Sequence, residues 1–129
     1  MTIYIFVYTI TESNNIKYYL NLIKKKYNFN IKILTIKAKN QIQEFIYGII
    51  KCKAVITDSF HGTIFSLIFN KPFISFVYES KGIERFNTLK EIFNFQNRIY
   101  DWKSKPDLKL LNIPLNINKT LLNSLRDKA

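Results

Sequence analysis

Asp58-Ser59-Phe60-His61-Gly62-Thr63 places in consecutive positions the residue types that handle anions and protons. His61 is the chain's single histidine, and an imidazole can give or take a proton near neutral pH. Ser59 or Thr63 can cap a helix start, and Gly62 lets the backbone approach a ligand closely. If a helix follows, its free N–H groups and the positive end of its dipole favour an anionic group. The segment is therefore suited to holding an anion beside a proton-transfer residue. Asp58 has three readings: orienting His61, accepting hydrogen bonds within the turn, or acting as a base. The turn role is favoured, because aspartates bond nearby backbone readily. A plain structural turn with a hydrogen-bonded histidine fits the same residues.

The flanking elements give the segment its place. Residues 54–57 are apolar and rich in β-branched types, which predicts a buried strand. Residues 64–69 are apolar almost all round, which predicts a short buried helix. Lys71-Pro72 stops it, because the residue before a proline is pushed out of the α region. Residues 73–78 predict a second buried strand. The polar segment then lies at the carboxyl end of the first strand of a βαβ unit, where open α/β sheets bind ligands.

The rest of the chain extends this pattern. Residues 3–9 and 31–36 predict strands, with an optional short one at 98–102. A helix is expected at 15–27, capped by Ser13 or Asn14, with Ile16, Tyr19, Leu20, Ile23 and Tyr27 as its stripe. A second is expected at 40–51, with Ile42, Phe45, Ile46, Ile49 and Ile50 inward and Gly48 allowing close packing. A third is expected at 83–95, with Ile83, Phe86, Leu89 and Phe93 on one face. Residues 103–114 read as loop, and 118–128 as a terminal helix with Leu121, Leu122 and Leu125 inward. Alternating strands and helices imply a parallel sheet with right-handed crossovers. The expected fold is α/β, a parallel sheet of 4–5 strands in the order 2-1-3-4(-5), with its switch point between strands one and three. Residues 9–14 and 58–63 would face each other across that crevice. Arg85, in the first turn of the 83–95 helix, opposes the helix dipole, which hints at an anion partner.

Composition bounds the rest. The 129 residues fit one domain, and 47% hydrophobic content fits a globular one. Cys52 is the single cysteine, so no internal disulfide forms; it reads as inert. The apolar region 54–78 is broken by Asp58, His61 and Lys71 and predicts no membrane span. Residues 3–8 lack the flanks of a signal peptide. The net charge of +11 points toward nucleic acid. Against that, the lysines are spread along the chain amid Ile and Asn, as an AT-rich genome would produce, and only three of the twenty basic residues are Arg. No dedicated nucleic-acid binding is expected. A basic surface could still attract phosphorylated substrates or an anionic membrane face. One His among scattered carboxylates has no metal-ligand spacing.

The stretch Ala54-Val55-Ile56-Thr57-Asp58-Ser59-Phe60-His61-Gly62-Thr63, then Phe65-Ser66 and Asn70-Lys71-Pro72-Phe73, resembles the signature of the polysaccharide pyruvyl transferase family. Weaker similarity runs through Arg85-Phe86 and Leu89 to Arg98-Ile99-Tyr100, so the likeness covers roughly residues 40–100. The resemblance implies a Rossmann-like three-layer half of a fold similar to B-type glycosyltransferases. Residues 1–129 would be the C-terminal, donor-side half, with the N-terminal half and its acceptor site absent.

The implied reaction moves pyruvyl from phosphoenolpyruvate onto two hydroxyls of a cell-surface polysaccharide. No cofactor is implied beyond that donor substrate. Implied partners are a saccharide acceptor, which could be lipid-linked, and a complementing N-terminal half. Implied surroundings are the cytoplasm, near the inner face of the membrane. On this mapping His61 is the acid/base or a contact to the donor, with Asp58 beside it. Ser59, Gly62 and Thr63 hold the anion, Lys81 and Arg85 are outer anion contacts, and Lys71 is structural. A nucleotide-sugar glycosyltransferase domain and a non-catalytic basic binding module are the alternatives.

Overall fold

A computed structural model describes residues 4–10, 14–27, 29–35, 42–77, 83–93, 98–101, 104–117 and 119–128. The elements in order are β1 (Tyr4–Thr9), α1 (Asn14–Tyr27), β2 (Asn30–Thr35), α2 (Ile42–Lys51), β3 (Ala54–Thr57) and α3 (Phe60–Ile68). Then come β4 (Phe73–Val77), α4 (Ile83–Phe93), β5 (Ile99–Asp101), a 3-10 turn (Leu108–Asn112) and α5 (Lys119–Lys128).

The strands form one all-parallel sheet, β2-β1-β3-β4-β5. This is the expected α/β arrangement in the expected order, with β1 and β3 adjacent at the switch point. Helices cover both faces, which is why β3 and β4 are apolar on both sides. On one face Phe6, Val55 and Phe73 pack with Phe45 and Ile49 of α2, Leu67 of α3, and Phe86 and Leu89 of α4. On the other, Ile5, Val7, Ile56 and Phe76 pack with Ile16, Leu20 and Ile23 of α1 and with Leu111 of the 3-10 turn.

Several expectations change. Helix α3 begins at Phe60, four residues before the predicted start at 64. Ser59 caps it, and that cap draws His61, Gly62 and Thr63 into the first turn. The predicted loop at 103–114 contains the 3-10 turn, capped by Asp107 through the Lys109 amide. In α2 the buried face centres on Phe45, Gly48 and Ile49, leaving Ile42 and Ile50 exposed. Gly48 causes this: a Cβ there would run into the Phe6 ring, so the helix approaches the sheet along its glycine. In α5, Leu122 is buried and Leu121 is exposed. The helix caps assigned to Ser13 or Asn14, and the inward faces of Ile83, Phe93 and Leu125, lie outside what the described side chains cover.

Arg98 ties the C-terminal segment beneath the sheet. It is 4% exposed. Its guanidinium donates to the carbonyls of Phe73 (3.3 Å), Leu110 (3.0 Å) and Ile113 (2.7 Å). Burial lowers its pKa, with Tyr100 opposing. From there the chain passes from Leu111 in one core to Leu115 in the other, and α5 settles beside α3, where Arg126 donates twice to the Ile68 carbonyl.

Candidate functional site

Ala54–Thr57 ends in a hydroxyl that starts the site. Thr57 Oγ1 donates to the Tyr8 carbonyl (2.7 Å) and accepts from the Ser59 amide (3.0 Å). Asp58 then reaches across the switch point. Its Oδ2 accepts from Thr9 Oγ1 at 2.9 Å and its Oδ1 from the Ile10 amide at 2.7 Å. Charge-assisted bonds of this kind are each worth roughly 1.5–3 kcal/mol. Asp58 therefore latches the end of β3 to the end of β1. The two segments expected to face each other over a crevice are stitched together at this point. Burial first, and then the nearby Asp58 carboxylate, push the Tyr8 phenol above its ordinary range.

The next residues are mostly architectural. Ser59 Oγ accepts from the Gly62 amide (3.3 Å), and the Ser59 carbonyl accepts from both the amide and the hydroxyl of Thr63 (3.0 Å each). Thr63 Oγ1 also meets Ser75 Oγ at 2.6 Å. Ser59, Thr63 and Ser75 are buried. The expected anion-holding amides of Gly62 and Thr63 are consequently occupied inside the helix. Those of Phe60 and His61 have no acceptor among the described residues and form the open end of α3. Gly62 faces the sheet: a Cβ there would strike the Thr57 side chain. The glycine lets helix and strand approach each other, where the sequence suggested an approach to a ligand.

His61 is exposed, the one member of this segment so presented. Its ring meets Phe60 edge-on at 6.2 Å. Arg85 of α4 lies over the same Phe60 ring, 4.6 Å from its centroid, and Phe86 packs edge-on against it at 5.5 Å. Phe60 thus sets a cation and an imidazole around one aromatic platform. A phenylalanine inside an otherwise polar segment was the available signal for this, and sequence reasoning passed over it. Lys81 lies outside the described residues. Lys71, expected to be structural, donates to the Cys52 carbonyl at 2.9 Å at the far end of the sheet. Among the described residues no cluster of His, Cys, Asp and Glu could hold a metal ion.

The family model described as polysaccharide pyruvyl transferase matches residues 1–80, more than half of the 129. The chain belongs to the polysaccharide pyruvyl transferase family. The match takes in β1 through β4 and the whole Asp58–Thr63 segment. It starts well before the 40–100 span suggested by the motif and ends before Arg85 and Arg98, which rest on geometry alone. No curated protein and no solved structure matches the chain. Among the described residues no helix is long and apolar enough to cross a membrane.

Proposed function

We propose that this chain is the donor-side domain of a pyruvyl transferase, acting on phosphoenolpyruvate and a sugar of a cell-surface polysaccharide. The observation that carries this reading is the selective exposure of His61. Asp58, Ser59, Gly62 and Thr63 are buried and hydrogen-bonded, while the imidazole stands at the open end of α3, at the carboxyl end of β3.

The chemistry suits the geometry. Phosphoenolpyruvate carries a phosphate and a carboxylate. Its methylene carbon takes a proton and becomes the methyl group. Two sugar hydroxyls add to the former enol carbon and release their protons, and inorganic phosphate leaves. The product is a cyclic ketal. The Phe60 and His61 amides and the Arg85 guanidinium supply anion contacts, and His61 supplies or receives the proton. Asp58 is a positioning residue that fixes the turn. On this reading the acceptor site belongs to a complementing half, so the chain by itself binds donor weakly at best and turns over little.

The test is a calorimetric titration of the whole chain with phosphoenolpyruvate at physiological salt, with inorganic phosphate and a nucleotide sugar as controls. Saturable binding that prefers phosphoenolpyruvate is expected, weakened roughly tenfold in His61→Ala by loss of one charged hydrogen bond. Absence of binding, equal binding of all three, or no change in the variant overturns the placement of the donor site on this chain.

A further inference from the structure

Six of the seventeen lysines, Lys24, Lys25, Lys26, Lys32, Lys51 and Lys53, come together at one corner of the described fold. Residues 13–57 contain nine lysines and a single acidic residue, Glu44. Glu44 is in the first turn of α2, and Lys51 is in its last, about 10 Å along the axis at 1.5 Å per residue. The last turn of α1 carries Lys24, Lys25 and Lys26, all exposed. In a parallel sheet these helix ends, the start of β2 and the approach to β3 share one pole, opposite the pole that carries His61.

Aromatic rings are built into this basic corner. Lys26 lies over Tyr27 at 5.8 Å, and Tyr27 stacks on Phe29. Lys53 lies over Phe29 at 4.6 Å. Its amide donates to the Tyr4 carbonyl, which joins this group to the next. There Lys32 lies over both Tyr4 and Tyr47 at 5.7 Å, and Lys51 over Tyr47 at 5.9 Å. Apart from Arg85 over Phe60, every cation set over a ring among the described residues is in this corner. Tyr47 and the adjacent Ile50 are exposed. Compositional bias supplies lysines; it does not set four of them over aromatic rings at one corner.

We infer that this corner docks the protein on an anionic lipid surface. Lysine ammonium groups attract acidic headgroups, while an exposed tyrosine such as Tyr47 sits at headgroup depth, apolar body inward and polar tip outward. The chemistry favours a diffuse anionic surface over a nucleic acid. The patch contains no arginine for bidentate phosphate or base contacts. Docking would hold the His61 pole roughly 20 Å above the headgroups, one six-residue strand away. The inference is independent of the donor assignment.

Flotation of the whole chain with vesicles tests it, comparing phosphatidylcholine alone with phosphatidylcholine containing phosphatidylglycerol. Binding to the anionic vesicles only, suppressed by added salt, is expected. Lys51→Gln/Lys53→Gln should weaken it roughly thirtyfold, about fivefold for each charge removed near the surface. Lys17→Gln/Lys105→Gln makes the same change in net charge away from the patch, one on the first turn of α1 and one beside Ser104, whose carbonyl accepts from Tyr19, and should leave binding within about twofold of the parent, because a Debye length is only about 8 Å. If the first variant loses its circular dichroism spectrum, Lys24→Gln/Lys25→Gln, on an exposed helix end, replaces it. No binding, equal weakening by patch and control variants, or tighter binding to a single-stranded oligonucleotide than to anionic vesicles overturns the inference.

Discussion

Most of the Asp58–Thr63 segment is spent on holding one residue out. Thr57, Asp58, Ser59 and Thr63 each bond to backbone or side chains within the fold, and His61 alone is exposed. The sequence showed which residue types were gathered here. It did not show their division of labour, because that depends on partners in β4 and β1, 12 to 49 positions away. Gly62 is the clearest case. An interior helical Gly→Ala substitution ordinarily gains about 1 kcal/mol. Here the new methyl would meet Thr57, a short β-branched side chain whose hydroxyl is held by Tyr8 and Ser59 and cannot swing aside. Overpacking of that kind costs roughly 1–3 kcal/mol. The steric cost outweighs the propensity gain, so Gly62→Ala should destabilise the chain by up to about 2 kcal/mol. Urea denaturation checks this; a stabilised variant would show that the helix has room.

At the scale of elements, periodicity and punctuation predicted the strands, their order and most helix spans. The α1 stripe of Ile16, Tyr19, Leu20 and Ile23 is buried as its spacing requires. The misses share a physical cause, namely tertiary contacts overriding local pattern. Gly48 recentred α2 on the sheet, and the Ser59 cap lengthened α3 through residues that read as a polar turn. The 3-10 turn has no periodicity of its own and is held by Arg98 from 10 or more positions away. That dependence predicts a local failure. Arg98→Met would remove the charged donor that the carbonyls of Phe73, Leu110 and Ile113 share, and a hydrogen bond to a charged group is worth roughly 1.5–3 kcal/mol. Hydrogen exchange should show protection lost first in residues 108–112 and in α5, before the amides of β1 and β3. Uniform loss across the sheet would mean that Arg98 does not act as a clamp for this segment.

For the whole molecule, charge and burial make opposing demands on stability at high pH. The net charge of +11 is self-repulsive, so deprotonating lysines relieves repulsion as pH rises. Burial works the other way. It pushes the Cys52 thiol from 9.0 to about 11 against the opposing pull of Lys71. It also raises the phenols of Tyr4, Tyr8 and Tyr19. Cys52 binds its proton more tightly when folded than when unfolded. Its stabilising contribution is therefore fully present below pH 9 and is lost as pH rises toward about 11. Two pH units correspond to roughly 2–3 kcal/mol. At physiological salt, lysine repulsion is screened beyond about 8 Å, whereas a buried thiolate is not. Burial should prevail, and unfolding free energy should fall between pH 9 and 11. Cys52→Ala separates the effects, since it leaves the lysines intact and removes the thiol. Its stability should decline with a shallower slope over that range, with the tyrosines supplying what decline remains. Parallel pH profiles for parent and variant would mean that the Cys52 proton is held no more tightly in the fold than out of it.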